Sequence, residues 1–547
     1  MMKKSSYLVL FCFLVISCNT NDVNETNNPS EEFEVLQNSE FGNAISFNES
    51  GVIGVTNATT NRAMEPAWIF GIEQIAMVEP PLIGGVAARA THVAVKDNYA
   101  YISYNKEGET YLGGIDIVDV SNQYNPVLIS RMITDKADVN ALFVDAENAI
   151  YFTGATAQGE NGNRSLLGKV ETSNGEFTSD FMVNYGLIGY AGVDIVNLNN
   201  APVIISGING AAGSYNFTGA ENIFELKSES LLGDLRSAVV QNGKLVVLSG
   251  EEGLLSFQET GGVLEVVNSI STEVMTPEAQ RSISAFEGNI LVPEGIEGAG
   301  IYNFDLGERL ISLPLNIHPD AAMIDNEDRV TNTVSYDGNF IYMANGGAGL
   351  DILKLDTELN TLAEGIAEIS GSANYVMAAN EYIYVASGTG LKILKINVIA
   401  EDIVESEFMV CTDLEEYTGN KNFTVNPNEE FSFGGVMNIK TLNVNGGLDF
   451  CGEMNIEKSA NISSEPGFNM RGTLRLGNNK STENLVITSK SIMRMEGTMV
   501  IYGDLTINSN GTLEFIGEDS KLIVFGEVKI NNGGNLIGTV EDVNSKL

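Results

Sequence analysis

Two histidines, His92 and His318, are the only side chains here whose ordinary pKa lets them carry protons near neutral pH, and they lie far apart in the sequence. His92 sits beside Val93 and Val95 in an alternating apolar stretch, the setting of a structural histidine, and His318 precedes Pro319 in a polar connection. No H-E-x-x-H, G-x-S-x-G, phosphate-binding loop, paired-cysteine zinc motif or EF-hand loop occurs. The 72 acidic residues contain many carboxylate pairs for glycosidic acid–base work, but their abundance singles out none. Trp68 is the one tryptophan that a sugar ring would stack on. Asp320, Asp325, Glu327 and Asp328 have the oxygen ligands for calcium, yet their spacing departs from the EF-hand and fits a solvated acidic connection better. We therefore expect no enzyme, with no catalytic residue, no metal site and no cofactor.

The cysteines carry more information. Lys3 and Lys4 followed by the apolar stretch Tyr7 to Ile16 read as an export signal too short to span a bilayer. Val15-Ile16-Ser17-Cys18 resembles the lipobox of bacterial lipoproteins, which implies removal of residues 1–17 and acylation of Cys18. Several acyl chains hold a protein on a membrane without its crossing, and no other apolar run approaches the roughly 20 residues of a spanning helix. Asn19 stands where an aspartate often retains such proteins at the inner membrane, so the resemblance implies the outer membrane and the cell surface. Cys411 and Cys451 remain. If Leu448 and Phe450 point inward, Cys451 points outward, and an exposed thiol in an oxidising compartment favours a Cys411–Cys451 disulfide; two unrelated free thiols are the alternative.

Without residues 1–17 the chain has 28 basic residues against 72 acidic ones, a formal charge of −44. Nucleic acid is excluded as a partner, because phosphates would be repelled. Asn19 to about Glu32 is rich in Asn, Thr and acid and cannot bury enough surface to order itself. Residues 18–66 are assigned to anchor and tether, the Asn-rich stretch alone reaching on the order of 20 Å.

The positioning elements show as a repeat. Tyr101 to Tyr104, Tyr151 to Gly154, Ile204 to Gly207, Val247 to Gly250, Leu291 to Gly295, Tyr342 to Gly346 and Tyr384 to Gly388 are short strands that mostly end in a small residue and glycine. Their last residues are 50, 53, 43, 45, 51 and 42 apart, the interval of four-stranded blades. A third strand follows each Gly-rich turn, as in Gly114 to Val120 (GIDIVDV), Gly349 to Leu355 (GLDILKL) and Gly390 to Ile396 (GLKILKI). Its apolar positions should meet neighbouring blades while the alternating Asp or Lys faces solvent. Gly192 to Leu198 (GVDIVNL) imitates that strand, yet the period makes it the first strand of the third repeat. The pattern resembles the LVIVD-repeat β-propeller family of bacterial surface proteins over about 330 residues. A seven-bladed propeller is expected over 67–400, closed by Trp68 to Met77 as the missing outer strand of the last blade, or else by Ile399 to Met409.

Beyond Cys411 the texture changes. Gly503 to Asn508 recurs as Gly526 to Asn531, and Gly511 as Gly534, both 23 residues later, about one coil of a β-helix. Residues 411–547 are read as a β-solenoid with one face of each x-Φ-x-Φ strand in the core and the other in solvent, a compact β-sandwich being the alternative. The whole is all-β. The expected function is a protein-binding scaffold or accessory subunit among outer-membrane proteins; the rival is a surface lipoprotein that binds or processes glycan.

Overall fold

The computed structural model describes residues 33–547 apart from short stretches, the longest being 58–69, 273–281, 318–323 and 399–407; Cys18, the export signal, Trp68, His318 and Asp320 lie outside the described residues. Seven antiparallel sheets stand in a ring. Blade 1 comprises Arg89–Lys96, Tyr99–Asn105, Gly113–Asp119 and Val127–Thr134, counted from the central axis outward, and blades 2 to 6 repeat that order. Blade 7 takes its three inner strands from Ala373–Ala379, Tyr382–Ser387 and Gly390–Val398, and its fourth from Phe70–Val78, paired so that Leu391 faces Val78 and Val398 faces Phe70. The ring is thus closed by chain from before blade 1, as expected. Asp194–Leu198 is the innermost strand of blade 3, so the period, not the local likeness, reads GVDIVNL correctly.

The third strand behaves as its apolar positions demand and differs from expectation at its charges. Ile115 and Ile117 pack with Leu142, Ile150 and Phe152 of blade 2, while Val118 packs with Tyr384 and Leu391 of blade 7. Both faces of a blade are covered, so alternation leads from one neighbour to the other and never to water. Asp116, Asp351 and Lys392 are accordingly buried rather than solvated, and only the second charges, Asp119, Lys354 and Lys395, reach partial exposure. Each buried charge has a partner: Asp116 accepts from Arg131 and from the Tyr104 hydroxyl, Asp351 from the Asn316 backbone and side chain, and Lys392 donates to the Ser370 hydroxyl at 2.6 Å.

The tether assignment over 18–66 is also corrected. Glu34–Leu36 adds a fifth strand to blade 1, Val55–Asn57 one to blade 6, and Ile45–Ser46 with Gly51–Ile53 one to blade 7. Outer edges of a propeller expose unpaired backbone groups, and a chain passing along them can satisfy these with only two or three residues at a time.

Residues 422–542 form parallel strands stacked turn on turn. Val425, Val444, Ile462, Ile487, Ile507 and Ile530 make one column through the stack, with all but Ile530 fully buried. This parallel register is that of a solenoid and not of a sandwich. The 23-residue interval holds between Leu505 and Val528 and varies elsewhere, since Phe450, Met470, Met495 and Phe515 share a column at unequal spacings. Gly435, Gly452, Gly472 and Gly497 form another column at positive φ, where the backbone turns a corner.

One outer face of the solenoid is not in solvent. Val500, Tyr502 and Ile523 join a cluster with Tyr124, Leu128 and Tyr382 of blades 1 and 7, and Arg475 pairs with Glu73 in blade 7, both side chains buried. The propeller and the solenoid are one packed body across this seam. Cys411 and Cys451 are disulfide-bonded with their Cα atoms 5.7 Å apart. Cys451 is on the outer side of its strand but only 5% exposed, because the segment leading into the solenoid lies over it; the expected open thiol is corrected to a covered one.

Candidate functional site

The innermost strands leave a channel along the axis, and most neighbouring blades are joined around it by polar side chains, while blade 5 meets blade 6 through backbone, the Ser282 amide donating to the Asn332 carbonyl at 2.9 Å. Thr91 of blade 1 donates to the Val139 carbonyl of blade 2 at 3.1 Å, and Asn105 donates to Asn140 at 2.8 Å. Asn140 in turn donates to the Gly192 carbonyl at 2.8 Å, at the entry to blade 3. Asp194 accepts from the Ser237 hydroxyl at 2.7 Å and the Ala238 amide at 2.9 Å in blade 4, and the Ser237 hydroxyl receives the Ile283 amide of blade 5 at 3.2 Å. Asn332 and Thr333 of blade 6 donate to carbonyls of Ala373 and Asn374 in blade 7. The last step back to blade 1 is aromatic: the rings of Tyr375 and His92 lie 4.3 Å apart.

This hoop is the waist of the channel. Above it, at the end where the innermost strands begin, is a cavity of about 270 Å³ with a mixed wall, in which Thr91, Asn105, Asn140, Asp234 and Arg236 stand beside Val193, Ile208 and Leu235. Below it a second space of about 300 Å³ is mainly apolar, with Leu142, Phe143, Val196, Val239 and Met377 in its wall. His92 and Asp194 border both.

Burial sets the protonation at the waist. It holds the His92 imidazole down at about 3, and its Nδ1 has no hydrogen-bond partner among the described residues, so the ring is neutral at any physiological pH. Burial raises Asp194 to about 6 against the three hydrogen bonds that favour its carboxylate, those from Ala238, Ser237 and the Ile195 amide. Asp138, at the mouth, is likewise raised to about 6 by burial, opposed by amides of Lys106 and Leu112. A neutral imidazole and the Asp194 carboxyl thus face the channel at its waist.

Several sequence candidates fall elsewhere. Asp325, Glu327 and Asp328 are exposed on a single 3-10 turn, and among the described residues no three His, Cys, Asp or Glu side chains gather as a metal site. His92 lies in a first strand as read, but its side chain borders the channel instead of the space between blades. Asp194 escaped the sequence reading altogether, although the aspartate of GVDIVNL was its signal. Around the mouth, Leu82, Val86, Tyr190, Ile208, Ile296 and Ile317 are exposed, with Leu82 at 70%. All six lie in turns between second and third strands or in connections between blades, which the antiparallel order brings to one end of the ring.

A family model described as the LVIVD repeat matches residues 87–134 and 328–354, which hold all of blade 1 and most of the inner three strands of blade 6. No curated protein matches the chain. Among solved structures it is similar to the WD40 β-propeller domain of Doa1, at 12% identity over 56% of this chain and 93% of that one, with a TM-score of 0.39. It is also similar to the computationally designed Ika8 protein, at 8% identity over 63% of this chain and 97% of that one, with a TM-score of 0.39.

Proposed function

We propose, for a chain that carries LVIVD repeats in a closed ring of seven blades, a role as a protein-binding scaffold, held on the outer membrane by an acylated Cys18 and acting as an accessory subunit there. The observation that carries the reading is that Leu82, Val86, Tyr190, Ile208, Ile296 and Ile317 are each exposed in the turns and connections at the mouth end of the propeller. Large apolar side chains exposed on a strongly acidic surface suit contact with another protein. The solenoid supports it by packing on blades 1 and 7, away from that end, so that the two parts hold one fixed orientation.

The test is copurification from gently solubilised membranes, comparing the full chain with a variant carrying Leu82→Glu, Ile208→Glu and Ile296→Glu. Stoichiometric partners lost in the variant support the scaffold; recovery of the unaltered chain as a lone monomer overturns it. Cys18→Ser should release the protein from membranes. One observation favours glycan binding as a second reading: Tyr190, 56% exposed in the wall of the mouth cavity, has the Arg164 guanidinium 5.2 Å from its ring centre. Retention on a polysaccharide panel that disappears with Tyr190→Ala would select it.

A further inference from the structure

In three blades the chain adds a strand to the outer edge beyond a bulge, and among the described residues the matching stretch stays unpaired in blade 3, as in blade 4. The outermost strands of six blades each carry one extra residue opposite the third strand: Ile129 in blade 1, Lys227 in blade 3, Val267 in blade 4, Leu310 in blade 5, Leu362 in blade 6 and Ile75 in blade 7. Such a bulge twists an edge and interrupts regular pairing along it. Pairing resumes a short way beyond. In blade 1 the added strand meets Arg131–Ile133, in blade 6 Gly365–Ala367, and in blade 7 Met77–Val78, each beginning two or three residues after the bulge; blade 7 also takes Gly51–Ile53 on the near side of its bulge, at Ile72–Gln74.

The equivalent stretch in blade 3 is Glu229–Leu231. Among the described residues no strand pairs there, since Ile223–Leu232 ends its sheet. Its protection is partial: the bulge at Lys227 and the exposed charges Glu225 and Glu229 are present, but no proline. Leu231 is 65% exposed and Leu226 is 50% exposed, where charge or proline would blunt self-association. Blade 5 differs in this respect, because Pro314 occupies the matching stretch and has no amide to offer.

We infer that the outer edge of blade 3 at Glu229–Leu231 takes an extended segment of a partner protein by β-strand addition, a segment alternating apolar and basic residues. This rests on the scaffold reading and names one of its contacts. Backbone pairing supplies affinity, and the side chains of the edge choose the partner. Leu226 and Leu231 ask for apolar contacts. Glu225, Glu229 and, on the adjoining strand, Glu265 are exposed, while Lys227 is already paired with Glu259. Those acids favour lysine or arginine and repel a second copy of so acidic a chain.

Hydrogen exchange on the full chain, read by mass spectrometry, tests this with an acetylated nonapeptide of alternating valine and lysine as the probe. Without peptide, the amides of Arg131–Ile133 and Gly365–Ala367 should be slow, and within Glu229–Leu231 those pointing away from Ala211–Gly213 should be fast. With peptide, those outward amides should slow by roughly tenfold or more, and Ser230→Pro or Leu231→Glu should abolish the change while leaving the other two stretches as they were. Exchange at the outward amides that is already slow, unaltered by the peptide, or slowed equally in Ser230→Pro overturns the inference. Partners that still copurify with Ser230→Pro would leave the scaffold standing and remove this edge from it.

Discussion

Arg131 grips Asp116 with two hydrogen bonds, Nε to Oδ1 at 2.7 Å and Nη2 to Oδ2 at 2.6 Å, inside a blade where neither side chain is more than 7% exposed. Arg131 also donates to the Glu79 carbonyl at 2.8 Å, in the connection that enters blade 1 from the strand closing blade 7. The aspartate of the GIDIVDV strand thus fastens its own blade and the closure of the ring. The Tyr104 hydroxyl donates to the same carboxylate at 2.8 Å; burial and the Asp116 charge hold that phenol well above its usual range.

Arg131→Ala leaves a buried carboxylate without its counter-charge, and about 3–5 kcal/mol of stability should be lost in urea unfolding. The double change Arg131→Met with Asp116→Leu removes both charges and should recover most of it. Equal loss in the single and double variants would show that packing volume, not the uncompensated charge, sets the cost.

The solenoid offers a steric test. A Cβ on Gly472 would lie 2.1 Å from the Gly452 carbonyl oxygen, and the residue has φ +125°. Gly472→Ala should therefore cost roughly 2–4 kcal/mol. Gly533 also has positive φ, +83°, but the nearest atom to its Cβ would be 3.6 Å away, so Gly533→Ala should cost about 1 kcal/mol. Thermal melts of the two variants check the ranking, and equal melting temperatures would refute it.

What the sequence discloses and what it conceals divide along physical lines. Seven blades were legible because each repeats a local pattern, a β-branched strand, a tight turn and a second strand, that needs no knowledge of the rest of the chain. The added strands at Glu34–Leu36 and Val55–Asn57 were not, since three residues have no period to detect. Asp116, Asp351 and Lys392 read as solvated because alternation normally separates core from water; closing the ring replaces that water with another blade. His92 and Asp194 come together only through the closed channel, from blades 1 and 3. The face by which the solenoid docks had a signal that went unused: Met499-Val500-Ile501-Tyr502 and Leu522-Ile523-Val524-Phe525 are unbroken apolar runs, and a strand with one wet face alternates.

Near that docked face Glu453 is 2% exposed, and burial raises its carboxyl to about 7 against the favourable contribution of Asn455. Tyr124 of blade 1 lies close enough for its own phenol to be raised in part by the Glu453 charge, after burial and the neighbouring tyrosines. The sign follows from proton binding. A carboxyl raised in the folded state binds more protons there than in the unfolded chain, so its contribution to stability is full below the unfolded value near 4.5 and is lost as pH rises through 7. On the order of 3 kcal/mol is at stake across that window. Glu453→Gln removes the titration, so the variant should unfold at higher urea concentration than the parent at pH 8 and at nearly the same concentration at pH 4.5. A difference between the two proteins that does not change between those pH values would mean that Glu453 stays ionised in the fold, with the solenoid seam supplying a counter-charge to it.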